Sequence, residues 1–203
     1  LVLLGAASYG VLAPIIKNAY AAGFSEAEVI SSQVVMAFVL FALLLMVTGR
    51  WMKELKGLSI RDAILLILLG AGGMGGTSIS YYLSLYRLPA SLAIILLFQF
   101  TLVVFFWELI LKHRWPSPLQ LLSIAAILLG TYLAVGQAEV VSILESPDGW
   151  LYGLLSAVTY GSLLYFMGEI APQHSSLGKS WYLLTGALFL SLVVFPPDWL
   201  FNG

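Results

Sequence analysis

The sequence contains no cysteine and only two histidines, and charged residues make up 9% of it. The absence of cysteine excludes disulfide bonds and thiolate metal sites, and His113 and His174 are too far apart in sequence to suggest a ligand pair. We therefore predict neither a metal nor a cofactor. The formal net charge of -1 argues against nucleic acid as a partner, because nucleic-acid binding needs a basic surface.

Hydrophobic residues, in contrast, make up 61% of the chain, which is more than a soluble domain can bury. They are arranged in seven apolar segments of about 20 residues, the length of a helix that crosses a bilayer. The predicted spans are 1–20, 28–49, 62–86, 90–111, 118–136, 149–170 and 180–199. This pattern predicts an all-α integral membrane protein, a polytopic helix bundle whose solvent is the lipid bilayer.

Lysine and arginine are concentrated in the loops on one side of this predicted bundle. The loops after the second, fourth and sixth spans hold Arg50, Lys53, Lys56, Arg61, Lys112, Arg114 and Lys179. The loops on the other side carry mainly acidic residues, with Arg87 as an exception. By the positive-inside rule, we expect a multi-pass protein of the inner (plasma) membrane with its N-terminus in the cytoplasm.

A degenerate repeat relates two of the apolar segments. Tyr9 and Gly10 recur as Tyr160 and Gly161, and similar small and apolar residues surround both pairs. Because five predicted helices separate the copies, the second copy enters the membrane from the opposite side. Inverted repeats are typical of secondary transporters, which bind substrate near the midplane between the two repeats.

The repeat divides the chain into three parts. We expect residues 1–136 to form a first five-helix repeat and residues 137–148 to form an extracytoplasmic linker. Residues 149–203 then hold only the sixth and seventh helices, so the second repeat is incomplete. A complete repeat would need roughly 90 further residues in three more helices.

Two stretches resemble the EamA-type transporters of the drug/metabolite transporter superfamily. The sequence SYYLSLYRLPASLA at 80–93 is similar to the end of the third helix in that family, the tight loop after it and the start of the fourth helix. The sequences WPSPLQLL at 115–122 and LLGTYLA at 128–134 together resemble the family's fifth helix. The resemblance implies a ten-helix exporter or permease of small metabolites with both termini in the cytoplasm. The chain departs from the family at Gln33, where many members have arginine, and at Arg114, where they have glutamate. The first departure argues against an anionic substrate.

Several polar residues within the spans are candidates for substrate binding. Tyr9 and Tyr160 place hydroxyl groups near the midplane of both halves, although they could instead mark a structural seam between the halves. Ser78 and Tyr81 belong to a polar stretch that suggests a lined cavity, with Tyr81 sharing a face with Thr77. Gln33 is a further candidate.

Lys17 lies three residues after Pro14, which removes a backbone donor and is expected to kink the first helix. The freed carbonyl and the lysine could both contact substrate. Alternatively, Lys17 could extend its ammonium group to the outer interface.

Two residues of the fourth span need a polar environment. Gln99, at mid-span, must bond either in the cavity or to another helix, because an unsatisfied amide in lipid is costly. Glu108 is a candidate for proton coupling, or it is a local partner of Lys112 one turn further on. On a straight helix Gln99 and Glu108 point to opposite sides, so we expect only one of them to face the cavity.

The glycine-rich sequence GAGGMG at 70–75 matches a dinucleotide-binding pattern, but that site needs a preceding strand that a membrane span cannot supply. We interpret Gly72 and Gly76 as a small-xxx-small pair for close helix packing, with a helix break beside the cavity as the alternative. Gly10 and Gly161 are predicted to let the two halves touch.

These observations predict a secondary transporter, an exporter of small metabolites such as amino acids, that works by alternating access at a midplane site. Its partners are a small-molecule substrate, the bilayer, and a proton or a second substrate moved in antiport. The sequence contains no H-E-x-x-H, G-x-S-x-G or Walker motif and no paired intramembrane aspartates, so we predict that the protein is not an enzyme. A membrane-embedded scaffold or sensor without transport is the alternative.

Overall fold

The computed structural model describes residues 2–49, 57–113, 115, 117–134 and 146–196, with side chains from residue 11 onward except at 132 and 134. These residues form a bundle of seven helices, and the predicted all-helical architecture is confirmed. The helices are α1 (Val2–Ala21), α2 (Glu26–Val47), α3 (Ile60–Arg87), α4 (Ala90–Lys112), α5 (Pro118–Ala134), α6 (Pro147–Glu169) and α7 (Ser176–Val194). Five of them are long and apolar enough to cross a membrane, namely α2, α3, α4, α6 and α7.

Two of the helices are interrupted. In α3, a π-helical segment at Gly70–Gly75 separates the α-helical parts Ile60–Leu69 and Gly76–Arg87. In α4, a turn at Gln99 separates Ala90–Phe98 from Phe100–Lys112, and the Gln99 N–H bonds to the Leu96 carbonyl at 3.1 Å. Both interruptions change the angular phase of the side chains that follow them, so they change which residues face a neighbouring helix.

Serine residues set the starts of several helices. Ser25 forms a capping box with Glu28 at the start of α2, and the Ser59 and Ser175 hydroxyls accept from the first turns of α3 and α7. Because Ser175 is the cap, α7 begins at Ser176 rather than near residue 180. Lys179, which the sequence placed in a loop, therefore lies inside α7.

The centre of the bundle is α6, which packs against α3 and α4. α7 packs against α2 and against the π-helical segment of α3, and α1 contacts α2, α3 and α4. α5 lies at the edge, beside α4, and most of its surface is exposed. The largest fully buried side chains include Tyr81, Tyr82, Ile30, Leu85 and Leu97.

A stripe of small residues lets α6 approach its neighbours closely. Gly149, Gly153, Ala157 and Gly161 follow one another at intervals of four and are all buried. A Cβ on Gly153 would come within 2.9 Å of Leu96 Cβ, and a Cβ on Gly161 would come within 2.6 Å of Val103 Cβ. The small-xxx-small pattern that allows backbones to approach thus lies along α6.

α1 and α6, which hold the Tyr-Gly pairs at 9–10 and 160–161, run in opposite directions. Tyr20, near the end of α1, contacts Tyr86 at a ring distance of 5.3 Å, and Asp148, at the start of α6, pairs with Arg87. α1 therefore ends on the face of the bundle where α6 begins. We call this the Arg87 face, and the opposite face, where α4 ends, the Lys112 face.

Candidate functional site

A cavity of about 280 Å³ lies between α1, α2, α3 and α6. It is lined by Leu12, Gln33, Met74, Thr77, Ser78, Tyr81, Tyr82, Tyr160 and Leu163. Four candidates that the sequence indicated, Gln33, Ser78, Tyr81 and Tyr160, are thus brought together from three different helices. A neighbouring groove between α1 and α2 shares Leu12 and Gln33 with this cavity.

Gln33 is held in place by a tyrosine that crosses from α3. The Tyr82 hydroxyl donates a hydrogen bond to Gln33 Oε1, and the Tyr82 carbonyl accepts one from the Tyr20 hydroxyl at 3.3 Å. With the Oε1 atom engaged, the amide Nε2 is the group that Gln33 can offer to a solute as a donor. Tyr82 was not among the predicted site residues, because tyrosine near a membrane boundary is equally typical of the interfacial belt.

The opposite wall joins α3 to α6. The Thr77 hydroxyl donates to the Gly73 carbonyl at 2.5 Å and lies 3.0 Å from the Thr159 hydroxyl. The ring of Tyr160 packs edge-on against Phe100, with centroids 4.9 Å apart. Tyr160 therefore contacts α4 and borders the cavity at the same time. The side chain of Tyr9, its predicted counterpart, lies outside the described residues, as do the contacts of Gly10.

The described residues that line the cavity carry hydroxyl, amide and aromatic groups but no charge. The first ten residues, whose side chains are not described, also include no charged residue. Burying an unpaired charge in such surroundings is costly, whereas a polar, uncharged group finds donors and acceptors here. The lining therefore suits a solute without net charge that also presents an apolar part to Leu12, Met74 and Leu163.

The π-helical segment of α3 provides close helix contacts, but not at the positions predicted. A Cβ on Gly70 would collide with the Leu183 backbone, and a Cβ on Gly73 would come within 2.9 Å of Leu163 Cβ. A Cβ on Gly76 would lie 3.3 Å from Thr159 Cγ2, so Gly76 lies close to α6, whereas Gly72 is exposed and a Cβ there would meet nothing within 4 Å. The prediction for Gly72 was wrong because the wider π-helical turn changes the phase of the segment.

Lys17 and Gln99 are not among the residues that line the cavity. Lys17 is half-buried on α1. Gln99 donates from Nε2 to the Thr131 hydroxyl on α5 at 2.9 Å and to the Ile95 carbonyl at 3.2 Å. Of the two alternatives for Gln99, the structure thus shows the bond to another helix.

Glu108 also faces α5. It lines a groove between α4 and α5 together with Gln120 and Ser123. Gln99 and Glu108 therefore share one side of α4, contrary to the expectation for a straight helix, because the turn at Gln99 alters the helical phase. Lys112, the predicted partner of Glu108, instead forms an ion pair with Glu169 of α6 at 2.6 Å.

Lys179 is a buried cation at the end of α6. Its exposed fraction is only 7%, and its Nζ atom donates to the Met167 carbonyl at 3.1 Å. Carbonyl groups in the last turn of a helix lack intrahelical donors and carry partial negative charge, so a lysine there is stabilising. Within the described residues, no group of histidine and carboxylate side chains is arranged to hold a metal ion.

Comparison with known proteins identifies the family. The chain is 26% identical over 171 residues to an uncharacterised inner membrane transporter, YicL, of Salmonella typhimurium strain LT2; the alignment covers 81% of this chain and 57% of the relative. The chain thus spans little more than half the length of that relative. No solved structure gives a significant match.

Residues 1–136 match the EamA-like transporter family. The resemblance found in the sequence is confirmed, and the chain belongs to the EamA-like transporter family, a family of membrane transporters rather than enzymes.

Proposed function

We propose that the protein is a secondary transporter that exports small metabolites without net charge, such as amino acids in their zwitterionic form. The observation that carries this proposal is the cavity at the junction of α1, α2 and α3 with α6. The two copies of the repeated sequence lie on α1 and α6, which run in opposite directions. A site bordered by both copies is the arrangement expected of inverted repeats that expose one binding site alternately to each face.

The chemistry of the lining supports the substrate class. Gln33 Nε2 and the hydroxyls of Ser78 and Tyr160 provide hydrogen bonds, and the tyrosine rings provide apolar and stacking surface. Among the lining residues that the structure describes there is neither a lysine nor an arginine to neutralise an anion. A zwitterion presents opposite charges close together, so it can be bound by neutral donors and acceptors.

The test is counterflow of radiolabelled solutes in proteoliposomes that contain the product of the complete reading frame. We expect exchange of neutral amino acids and little exchange of dicarboxylates or diamines. Exchange of charged solutes alone would overturn the substrate class. The absence of exchange with any metabolite pool would favour the alternative, a membrane-embedded scaffold or sensor.

Proton coupling through Glu108 is a separate proposal. Glu108 lies in the α4–α5 groove and does not line the cavity, so it would act on the transport cycle rather than contact the solute. If Glu108 carries the coupling proton, Glu108→Gln abolishes proton-driven accumulation and leaves counterflow intact. If this variant accumulates solute at the normal level in response to a proton gradient, Glu108 does not carry the coupling proton. Antiport of a second substrate is then the remaining mode of coupling.

Membrane orientation is tested with single cysteines, since the chain has none of its own. Phe24 and Trp115 are exposed in the loops of the Arg87 face and the Lys112 face, respectively. If the N-terminus lies on the cytoplasmic side of a bacterial inner membrane, an impermeant maleimide applied from outside the cell labels Phe24→Cys but not Trp115→Cys. The reverse pattern would invert the proposed topology.

A further inference from the structure

Each end of α6 is tied to a cation from the preceding helices. On the Arg87 face, Arg87 Nε lies 3.6 Å from Asp148 Oδ2, and the guanidinium group lies over the ring of Tyr152 at 5.1 Å. On the Lys112 face, Lys112 Nζ lies 2.6 Å from Glu169 Oε1 and 5.4 Å from the ring centre of Tyr165. Both ends therefore have the same construction, with an acid at the helix terminus and a tyrosine one turn further inward.

The part of α6 between these ends has no charge of its own. Residues 149–168 include no charged side chain, and the stripe that faces α3 and α4 consists of small residues. Contact along this stripe is close, because the side chains of Leu88 and Leu96 pack directly against Gly149 and Gly153. Among the described residues, these two ion pairs are the contacts between opposite charges that attach α6 to the other helices. Lys179 of α7 adds a bond to the Met167 carbonyl.

The cavity lies between the two ion pairs. Tyr160 and Leu163 of α6 border it, while Asp148 and Glu169 lie at the two faces of the bundle. Tilting α6 away from α3 at its first turn would open a route to the cavity from the Arg87 face. Tilting it away from α4 at its last turn would open the Lys112 face.

We propose that Arg87–Asp148 and Lys112–Glu169 are the two gates of the transport cycle, one on each face. This inference rests on the proposed alternating access. Partly exposed ion pairs contribute little to stability, so they can be broken and remade during each cycle. Arg87 also lies 3.5 Å from Glu26 Oε1 on α2, so it keeps a partner when Asp148 moves away. Both pairs are formed in the present structure.

Accessibility of a single cysteine in the cavity tests the proposal without any substrate. Ser78→Cys is introduced into the full-length protein, and labelling by an impermeant maleimide is timed separately from each side of oriented vesicles. We expect Asp148→Asn to accelerate labelling from the Arg87 face about fivefold, the population change that an exposed ion pair can produce. We expect Glu169→Gln to accelerate labelling to a similar extent from the Lys112 face only.

Glu28→Gln is the matched control, because the Glu28 carboxylate bonds to Ser25 in its own capping box rather than to α6. It should leave both labelling rates unchanged. The charge exchange Lys112→Glu with Glu169→Lys should restore the slow labelling that Glu169→Gln loses, which shows that the pair itself is responsible.

Equal acceleration from both faces in each variant would mean a loosened bundle and would overturn the proposal, as would unchanged rates in both variants. The outcome is separable from that of the transport assay. Side-specific labelling without any solute exchange would support the gates and reject the proposed function, whereas exchange without side-specific labelling would reject the gates alone.

Discussion

The side-chain hydroxyls of Thr77 and Thr159 lie 3.0 Å apart, where the α3 segment that follows the π-helical turn meets α6. Thr77 also donates to the Gly73 carbonyl within the π-helical segment. One polar contact thus connects the irregular stretch of α3 and the cavity wall to α6.

Replacing Thr77 by valine keeps the shape of the side chain but removes its hydroxyl. We expect a loss of about 1 kcal/mol in the free energy of unfolding, the typical worth of a buried hydrogen bond. A double-mutant cycle with Thr159→Val should give a coupling energy of about 0.6 kcal/mol, the average for polar contacts between membrane helices. Reversible unfolding in mixed micelles measures both quantities. Strict additivity of the two substitutions would show that the hydroxyls do not interact.

Gly186→Ala should disrupt the contact between α7 and α3. A Cβ at this position would collide with the Ile67 carbonyl oxygen and lie 2.7 Å from the Ala71 nitrogen, so the helices must separate. We expect a loss of about 1–3 kcal/mol, the usual cost of overpacking. Thermal unfolding in detergent, followed by size-exclusion chromatography, measures the effect. Gly72→Ala is the control, because a Cβ there meets nothing within 4 Å, and a comparable loss in that variant would contradict the assigned packing.

Tyr82→Phe removes the hydroxyl that holds Gln33 at the cavity. We expect the KM for the transported solute to rise by about three- to tenfold, corresponding to one hydrogen bond, while the protein remains folded. Initial rates of counterflow at several solute concentrations measure this change. Tyr86→Phe is the matched control, since Tyr86 is exposed and does not line the cavity. An unchanged KM in Tyr82→Phe would remove Gln33 and Tyr82 from the site.

Lys179→Met removes the buried cation at the end of α6. The Met167 carbonyl then loses its donor, and the negative end of the helix loses a compensating charge, so we expect a loss of about 1–2 kcal/mol. The midpoint of thermal unfolding should fall accordingly. Arg61→Gln provides the comparison, because Arg61 is an exposed cation near the start of α3. Equal midpoints for the two variants would show that the Lys179 contact contributes nothing.

Gln99→Leu tests whether Gln99 attaches α5 or binds the solute. Because Gln99 bonds to Thr131, we expect an interaction energy of about 0.6 kcal/mol with Thr131→Val and no change in the solute KM. Unfolding and counterflow of the single and double variants measure the two quantities. A raised KM without coupling to Thr131 would instead place Gln99 at the substrate.

Much of the secondary structure could be predicted from the sequence. Runs of about 20 apolar residues have few alternatives to a membrane-crossing helix, because backbone groups must bond internally in lipid. The polar residues Gln33, Ser78, Tyr81 and Tyr160 could also be selected, since a polar side chain within an apolar span is unusual. These predictions depend only on the local composition of each segment, and that composition can be read from the sequence without knowledge of the fold.

Helix phase and the choice of partners were decided only by the tertiary structure. In the π-helical segment, Gly70 and Gly73 rather than Gly72 lie close to the neighbouring helices. At the turn in α4, Gln99 faces α5 and bonds to Thr131. Lys112 pairs with Glu169 rather than with Glu108, and Lys179 is buried in α7 instead of lying in a loop. The sequence by itself determined that the long apolar segments form helices. Which neighbour each one meets depends on the rotation and separation of packed helices, which the contacts of the whole bundle set together.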